Sequence, residues 1–295
     1  MKPLGIAVAS RSFSKNLILR DELKTRYCDC KITFNDEGIK LAGRKLIEFL
    51  EGHDRAIVAL EKLDGSIFSA LPELKIISKY GVGLDMINIG AMKKYGVKLG
   101  WIGGVNRRAV SELVVAFAIS MLRHIPAASR EVAGGIWRQH IGRQLSGKVV
   151  GIIGCGNVGK DLVELLKPFD CKILVNDIFD YHDFYKLWGI QATGLEALLS
   201  DSDIVTLHIP LNLKTKNIIS REKLGLMGPN SILINTARGG LVDEIALKEF
   251  LVNGGLAAAA FDVLACEPHI DSKLLALPNF LITPHIGGSS EEAVL

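Results

Sequence analysis

Arg238, Glu267 and His285 are the side chains whose types and settings could together do chemistry. Arg238 follows Ala237 and precedes two glycines, so little bulk hides its guanidinium, whose planar fork fits a carboxylate bidentately. Glu267 is restrained by Pro268 just after it. Pro284 sets the backbone before His285, and the glycines beyond Ile286 let a ligand approach. A carboxylate beside an imidazole raises the imidazole's pKa and fixes its tautomer, as an acid–base group working near neutral pH requires. Taken singly, these are a surface arginine, a solvated loop acid and a strand-end histidine, and for each alone that ordinary reading prevails. Together, behind a nucleotide-binding fold, they describe hydride transfer on a hydroxy acid.

The nucleotide-binding fold is written in residues 149–177. Val149, Val150, Ile152 and Ile153 form an apolar run that stops at Gly154, as a strand buried on both faces would. Gly154, Cys155, Gly156, Asn157, Val158 and Gly159 then spell G-x-G-x-x-G. The first glycine permits the tight turn, the second lets the backbone approach a pyrophosphate, and the third lets the following helix pack on its strand. The phosphate would sit at that helix's N-terminus. A second strand over 172–176 ends at Asp177, whose carboxylate can accept from the ribose hydroxyls of NAD and would repel the extra phosphate of NADP. A tight turn with a loop-capping acid would use the same residues. Methyltransferase sheets carry similar glycine turns, so the choice of cofactor needs support from the rest of the chain.

A chain of 295 residues suggests two domains, and 48% hydrophobic content is that of an α/β protein. No apolar run reaches the roughly 18 residues of a membrane span, and no signal peptide is expected, which points to the cytoplasm and away from membranes. Five scattered cysteines suggest neither a disulfide framework nor a zinc site; we expect them reduced and mostly structural, with no metal. A net charge of +3 gives no argument for nucleic acid.

Strands and helices alternate from the N-terminus, with strands expected over 4–9, 31–34, 55–60, 74–78 and 97–99 and helices over 15–25, 38–50 and 88–95. Between strand and helix, Lys79, Tyr80, Gly81, Val82 and Gly83 form a glycine-spaced turn where open α/β sheets bind ligands. Its N–H groups could hold a carboxylate; an ordinary turn with a solvated lysine accounts for it equally well. Residues 103–106 break the pattern as a hinge would. A helix over 109–122 has apolar residues on nearly every side, predicting burial all round, within its domain and against a partner subunit. Residues 127–145 read as an arm over a neighbour. Further strands are expected over 203–207, 231–235, 257–261 and 280–283, each with its notable polar residues at the C-terminal end.

These motifs together resemble the D-isomer-specific 2-hydroxyacid dehydrogenase family. The resemblance rests on Gly154 to Gly159 with Asp177, the turn at His208 and Pro210, Asn235 to Gly240, Phe261 to Val263 with Glu267 and Pro268, and Thr283 to Gly288; residues 79–85 and 104–106 add to it. It implies two doubly wound parallel-sheet α/β domains, with a Rossmann-type cofactor domain inserted into a flavodoxin-like substrate domain. The substrate domain is expected over 1–102 and 286–295. The NAD domain is expected over 103–285, with a dimerisation helix and arm over about 105–145 forming a homodimer.

The resemblance also implies roles. Arg238 would bind the substrate carboxylate and polarise the C2 oxygen, His285 would move the hydroxyl proton, and Glu267 would hold and tune His285. Gly154, Gly156, Asn157, Val158, Gly159, Asp177, Ile178, His208, Pro210, Thr215, Thr236, Ala237 and Gly287 match cofactor-binding positions, and Asp262 the residue that meets the nicotinamide amide. Lys79, Tyr80, Gly81, Val82, Gly83 and Asn106 match substrate-binding positions beside Arg238. The family's closure about linkers near Gly103 and Pro284 would exclude water.

Within the family the proportions are most similar to short phosphoglycerate dehydrogenases, which implies 3-phosphoglycerate as substrate and a place in serine biosynthesis. Phosphate recognition needs cations, and Lys79, Arg107, Arg108 and Arg138 are the candidates; Ala59 and Leu60 stand where a basic residue could help. An unphosphorylated acid of the glyoxylate, hydroxypyruvate or lactate type is the alternative, as is a non-catalytic NAD-sensing corepressor on the same scaffold. Family members usually continue past the position of Leu295 with another helix, so the expectation is that either this chain is shortened or its tail is unusual.

Overall fold

The computed structural model describes residues 5–269 and 271–295. Leu4, expected in the first strand, lies outside the described residues. Residues up to Val105 form one compact unit and Asn106–Val294 another.

In the first unit β1 (Gly5–Val8), β2 (Lys31–Phe34), β3 (Arg55–Val58), β4 (Ile76–Lys79) and β5 (Lys98–Gly100) make a parallel sheet ordered β2-β1-β3-β4-β5. The order reverses between β1 and β3, the flavodoxin-like winding. Parallel neighbours need a crossover, and the one between β3 and β4 is a helix, Gly65–Ala70, that the sequence pattern did not announce. It buries only Ile67 and Phe68, too few to display a helical period, and is capped by Asp64, whose carboxylate accepts from Ser66 N–H.

In the second unit β6 (Val149–Ile153), β7 (Lys172–Asn176), β8 (Gln191–Ala192), β9 (Ile204–Leu207), β10 (Ile232–Asn235), β11 (Ala258–Phe261) and β12 (Phe280–Ile282) run in the order β12-β11-β10-β9-β6-β7-β8, all parallel. The order turns back between β6 and β9, as in a Rossmann sheet. Both faces are covered. Ile153, Val205, Leu207 and Leu233 pack into one apolar layer, while their neighbours Ile152, Ile204, Ile232 and Ile234 pack into the other, the alternation a pleated strand imposes.

The long helix Arg107–Leu122 lies in the second of these layers against the fingerprint helix Asn157–Leu166. Ser111 Oγ donates to the Val158 carbonyl at 3.2 Å, and Arg108 pairs with the buried Asp161 at 3.0 Å. Burial is one-sided in the single chain: Val110, Val114, Phe117, Ala118, Met121 and Leu122 are buried, whereas Leu113, Val115 and Ile119 are half-buried and Ala116 is exposed. Past the helix Ile125–Ala133 the arm leaves Trp137 87% and Ile141 97% exposed.

The contacts divide the chain differently from the expected bounds. Residues 286–294 belong to the second unit, and the boundary falls after Val105. The reason is local: the N–H groups of Ile286 and Gly287 donate to the Asp262 carboxylate, fastening the chain after β12 to the end of β11. All five cysteines are unpaired; Cys155 is buried, Cys30 and Cys171 are half-buried, and Cys28 and Cys266 are exposed. Among the described residues no single helix is long and apolar enough to cross a membrane.

Candidate active site

The residues singled out in the second unit gather at the C-terminal edge of its sheet, where doubly wound folds bind ligands. After β6, Gly154 takes φ +98°, and a Cβ on it would stand 2.7 Å from the His208 carbonyl oxygen. A Cβ on Gly159 would meet the Gly154 oxygen at 2.2 Å, so only glycine lets the helix pack this closely on the turn. Around Gly156 a Cβ would meet nothing within 4 Å, the open side a pyrophosphate needs. Asp177 closes the turn against β7: Oδ2 accepts from Cys155 N–H at 2.6 Å and Oδ1 from Phe179 N–H at 2.8 Å. Ile178 beside it is 91% exposed.

After β9, His208 Nε2 lies 3.0 Å from Thr206 Oγ1, and burial pushes the imidazole down to about 3, so it is neutral in the working range. Thr215 Oγ1 donates to the Pro210 carbonyl at 2.7 Å and accepts from Asn212 N–H at 2.8 Å, folding that loop on itself. Thr236, after β10, has a buried hydroxyl without a hydrogen-bond partner. A buried hydroxyl left unpaired is costly. With the open glycine turn and Asp177, it makes this edge fit a dinucleotide.

The catalytic candidates sit on three adjacent loops. Asn235 shapes the first: its Nδ2 donates to the Arg238 carbonyl at 2.9 Å and its Oδ1 accepts from Ala237 N–H at 3.1 Å. Arg238 Nη1 donates to the Ala237 carbonyl at 2.7 Å. A Cβ on Gly239 would overlap the Leu264 carbonyl carbon at 2.0 Å, so glycine brings this loop onto the backbone of the next. Glu244 joins the same two loops, accepting from Ala265 N–H at 2.8 Å; burial raises its carboxyl above the usual range. Neither Asn235 nor Glu244 carries a role in the sequence expectations: Asn235 closes an expected strand, and Glu244 lies in no motif.

Glu267 Oε1 accepts from Leu264 N–H at 3.0 Å, and its Oε2 is 3.0 Å from His285 Nδ1. A carboxylate can only accept, so Nδ1 carries the proton and Nε2 is the working nitrogen. The two side chains are 42% and 51% exposed, on the wall of a recess of about 240 Å³ lined also by Asp262, Leu264, Pro268, Ile282, Thr283 and Pro284. Arg238, Glu267 and His285 are thus on one edge, as their motifs implied.

Of the expected substrate residues, Asn106 heads the long helix and lies against Gly288, where an added Cβ would stand 2.7 Å from its Nδ2. Residues 79–83 belong to the first unit. There Lys79 Nζ donates to the Ala59 and Tyr80 carbonyls at 2.7 and 3.1 Å, Gly81 takes φ +103°, and Trp101 Nε1 donates to the Val82 carbonyl at 3.0 Å. The lysine therefore shapes its loop rather than standing solvated.

His208 generates a pH prediction. Its folded value lies far below the ordinary histidine value near 6.5, so between those values the unfolded chain binds a proton that the folded chain does not. Stability therefore falls as pH drops through that window. His208→Asn should flatten the fall, measured as unfolding free energy against pH between about 6.5 and 3; an unchanged slope would contradict the burial.

The profile of the D-isomer specific 2-hydroxyacid dehydrogenase NAD binding domain matches residues 115–287, more than half of the chain. The D-3-phosphoglycerate dehydrogenase of Bacillus subtilis is 37% identical over 238 residues, 79% of this chain and 45% of that protein, so the chain spans about half the length of that relative. The hydroxypyruvate reductase of Thermotoga maritima is 37% identical over 79% of this chain and 76% of its own. The solved structure of D-2-hydroxyisocaproate dehydrogenase superposes with a TM-score of 0.85 at 25% identity, covering 98% of this chain and 92% of the other. The chain belongs to the D-isomer specific 2-hydroxyacid dehydrogenase family.

Proposed function

We propose that the chain is an NAD-dependent D-2-hydroxyacid dehydrogenase acting at C2 of a small 2-hydroxy acid. The observation that carries this reading is the 3.0 Å pairing of His285 Nδ1 with Glu267 Oε2 on the edge that also bears Arg238. NAD supplies the nicotinamide that takes up or gives back the hydride. Arg238 binds the substrate carboxylate through its planar fork. His285 takes the hydroxyl proton at Nε2 in oxidation and returns it in reduction, and Glu267 accepts from the opposite nitrogen and so fixes the tautomer. The glycine turn would hold the pyrophosphate, Asp177 the ribose hydroxyls, and Thr236 offers its unpaired hydroxyl.

Two substrate classes compete. 3-Phosphoglycerate is supported by the phosphoglycerate dehydrogenase among the relatives. An unphosphorylated acid is supported by the cations a phosphate would need. Lys79 donates to two carbonyls, Arg107 and Arg108 lie 3.7 and 3.0 Å from Asp161, and Arg138 pairs with Glu131. With each of them engaged by the protein, hydroxypyruvate or glyoxylate is the better fit, in keeping with the hydroxypyruvate reductase relative. We also propose a homodimer through the arm, whose Trp137 and Ile141 stand almost fully exposed; sedimentation at twice 32.1 kDa is expected, and a monomer would refute it.

The activity is tested by NADH oxidation and NAD reduction with 2-keto and 2-hydroxy acids, phosphohydroxypyruvate and 3-phosphoglycerate included. Wild type should turn over the unphosphorylated acids, and turnover confined to the phosphorylated pair would restore 3-phosphoglycerate. Arg238→Ala should lower kcat/KM by about 10²–10³-fold while NADH binds as before; undiminished activity would remove Arg238 from the mechanism.

A further inference from the structure

The end of β11 holds a buried carboxylate whose side-chain partners all lie in one loop. Asp262 is 1% exposed. Its Oδ1 accepts from the Thr283 hydroxyl and, at 2.8 Å, from Ile286 N–H, while Oδ2 accepts from Gly287 N–H at 2.7 Å. Its main-chain carbonyl accepts from His285 N–H at 2.9 Å. Residues 283–287 are therefore wound around Asp262, with His285 at the middle of the winding. A Cβ on Gly287 would stand 3.0 Å from Oδ2, so glycine there permits the approach.

His285 takes φ +57°, left-handed backbone that a residue with a Cβ holds only where its surroundings over-determine it. The contacts to Asp262 on both sides of it supply that determination. In this conformation its ring reaches Glu267.

We propose that Asp262 is a positioning residue for His285, its carboxylate imposing the left-handed turn that aims the imidazole at Glu267. This rests on the dehydrogenase reading, in which His285 moves the proton. It gives Asp262 a task separate from the nicotinamide contact implied by family resemblance, since its carboxylate accepts from three protein donors of the loop that carries His285.

Asp262→Asn keeps the shape but sets an amide NH₂ against a backbone N–H, loosening the winding. It should lower kcat by about 10–100-fold, the scale of a misplaced catalytic group, and change the Kd for NADH less than about twofold. Thr283→Val, which removes one donor and no charge, should act in the same direction to a smaller extent. The discriminating background is His285→Ala. There, turnover rescued by added imidazole, which needs no backbone turn, should be equal with and without Asp262→Asn. A further loss in that background, or NADH binding weakened about tenfold or more, would overturn the proposal in favour of direct contact with the cofactor.

A second readout does not depend on turnover. In ¹⁵N-histidine-labelled protein, the Nδ1–H resonance absent from His285→Ala should disappear from both Glu267→Ala and Asp262→Asn. Its persistence in Asp262→Asn would overturn the positioning role. If wild type reduced no 2-keto acid the dehydrogenase reading would fail, and the resonance would still decide whether Asp262 holds His285.

Discussion

The candidate site depends on three neighbouring strands of a parallel sheet ending level. In the ladder Asn235 pairs with Phe261 and Phe261 with Ile282, so β10, β11 and β12 stop at one edge, spaced by the roughly 4.8 Å of a hydrogen-bonded sheet. Arg238, Glu267 and His285 leave that edge on separate loops. The ladder sets their spacing but ends with the strands, so the loops need bonds of their own. Backbone N–H groups and carboxylates provide them: Glu244 reaches Ala265, Glu267 reaches Leu264, and the buried Asp262 takes the loop after β12. The missing side chain of Gly239 lets the first loop touch the second.

The cofactor half of the edge follows the same logic with different parts. Gly154 and Gly159 are held in contacts that exclude a Cβ, whereas Gly156 is open, so the three glycines divide the work of turning, packing and admitting a ligand. Asp177 spans the turn and the end of β7 through two backbone donors, which fixes its carboxylate. Behind both halves the buried alanines of β11, Ala258 to Ala260, leave room for helices on either face.

Much of this was legible in the sequence because the candidate residues lie at strand ends marked by glycine and proline. Arg238 before two glycines, His285 after Pro284 and the fingerprint with Asp177 each announce themselves by local spacing. Elements too short to show a period were not legible, notably the helix Gly65–Ala70 and the two-residue strand β8. Nor were pairings across long sequence separations: the commitment of Arg108 to Asp161, the wrapping of Asp262 by the loop after β12, and the packing of residues 286–294 with the second unit depend on tertiary structure. The one-sided burial of the long helix was hidden for a related reason, since apolar residues all round do not say which face another chain would cover.

The most direct measurement is label transfer from NADH deuterated at nicotinamide C4 to a 2-keto acid, read by mass and chirality at C2 of the product. The account predicts deuterium at C2 of the D-2-hydroxy acid, retained when the reaction is run in ordinary water. Product of L configuration, or label lost to solvent, would contradict direct hydride transfer at this edge.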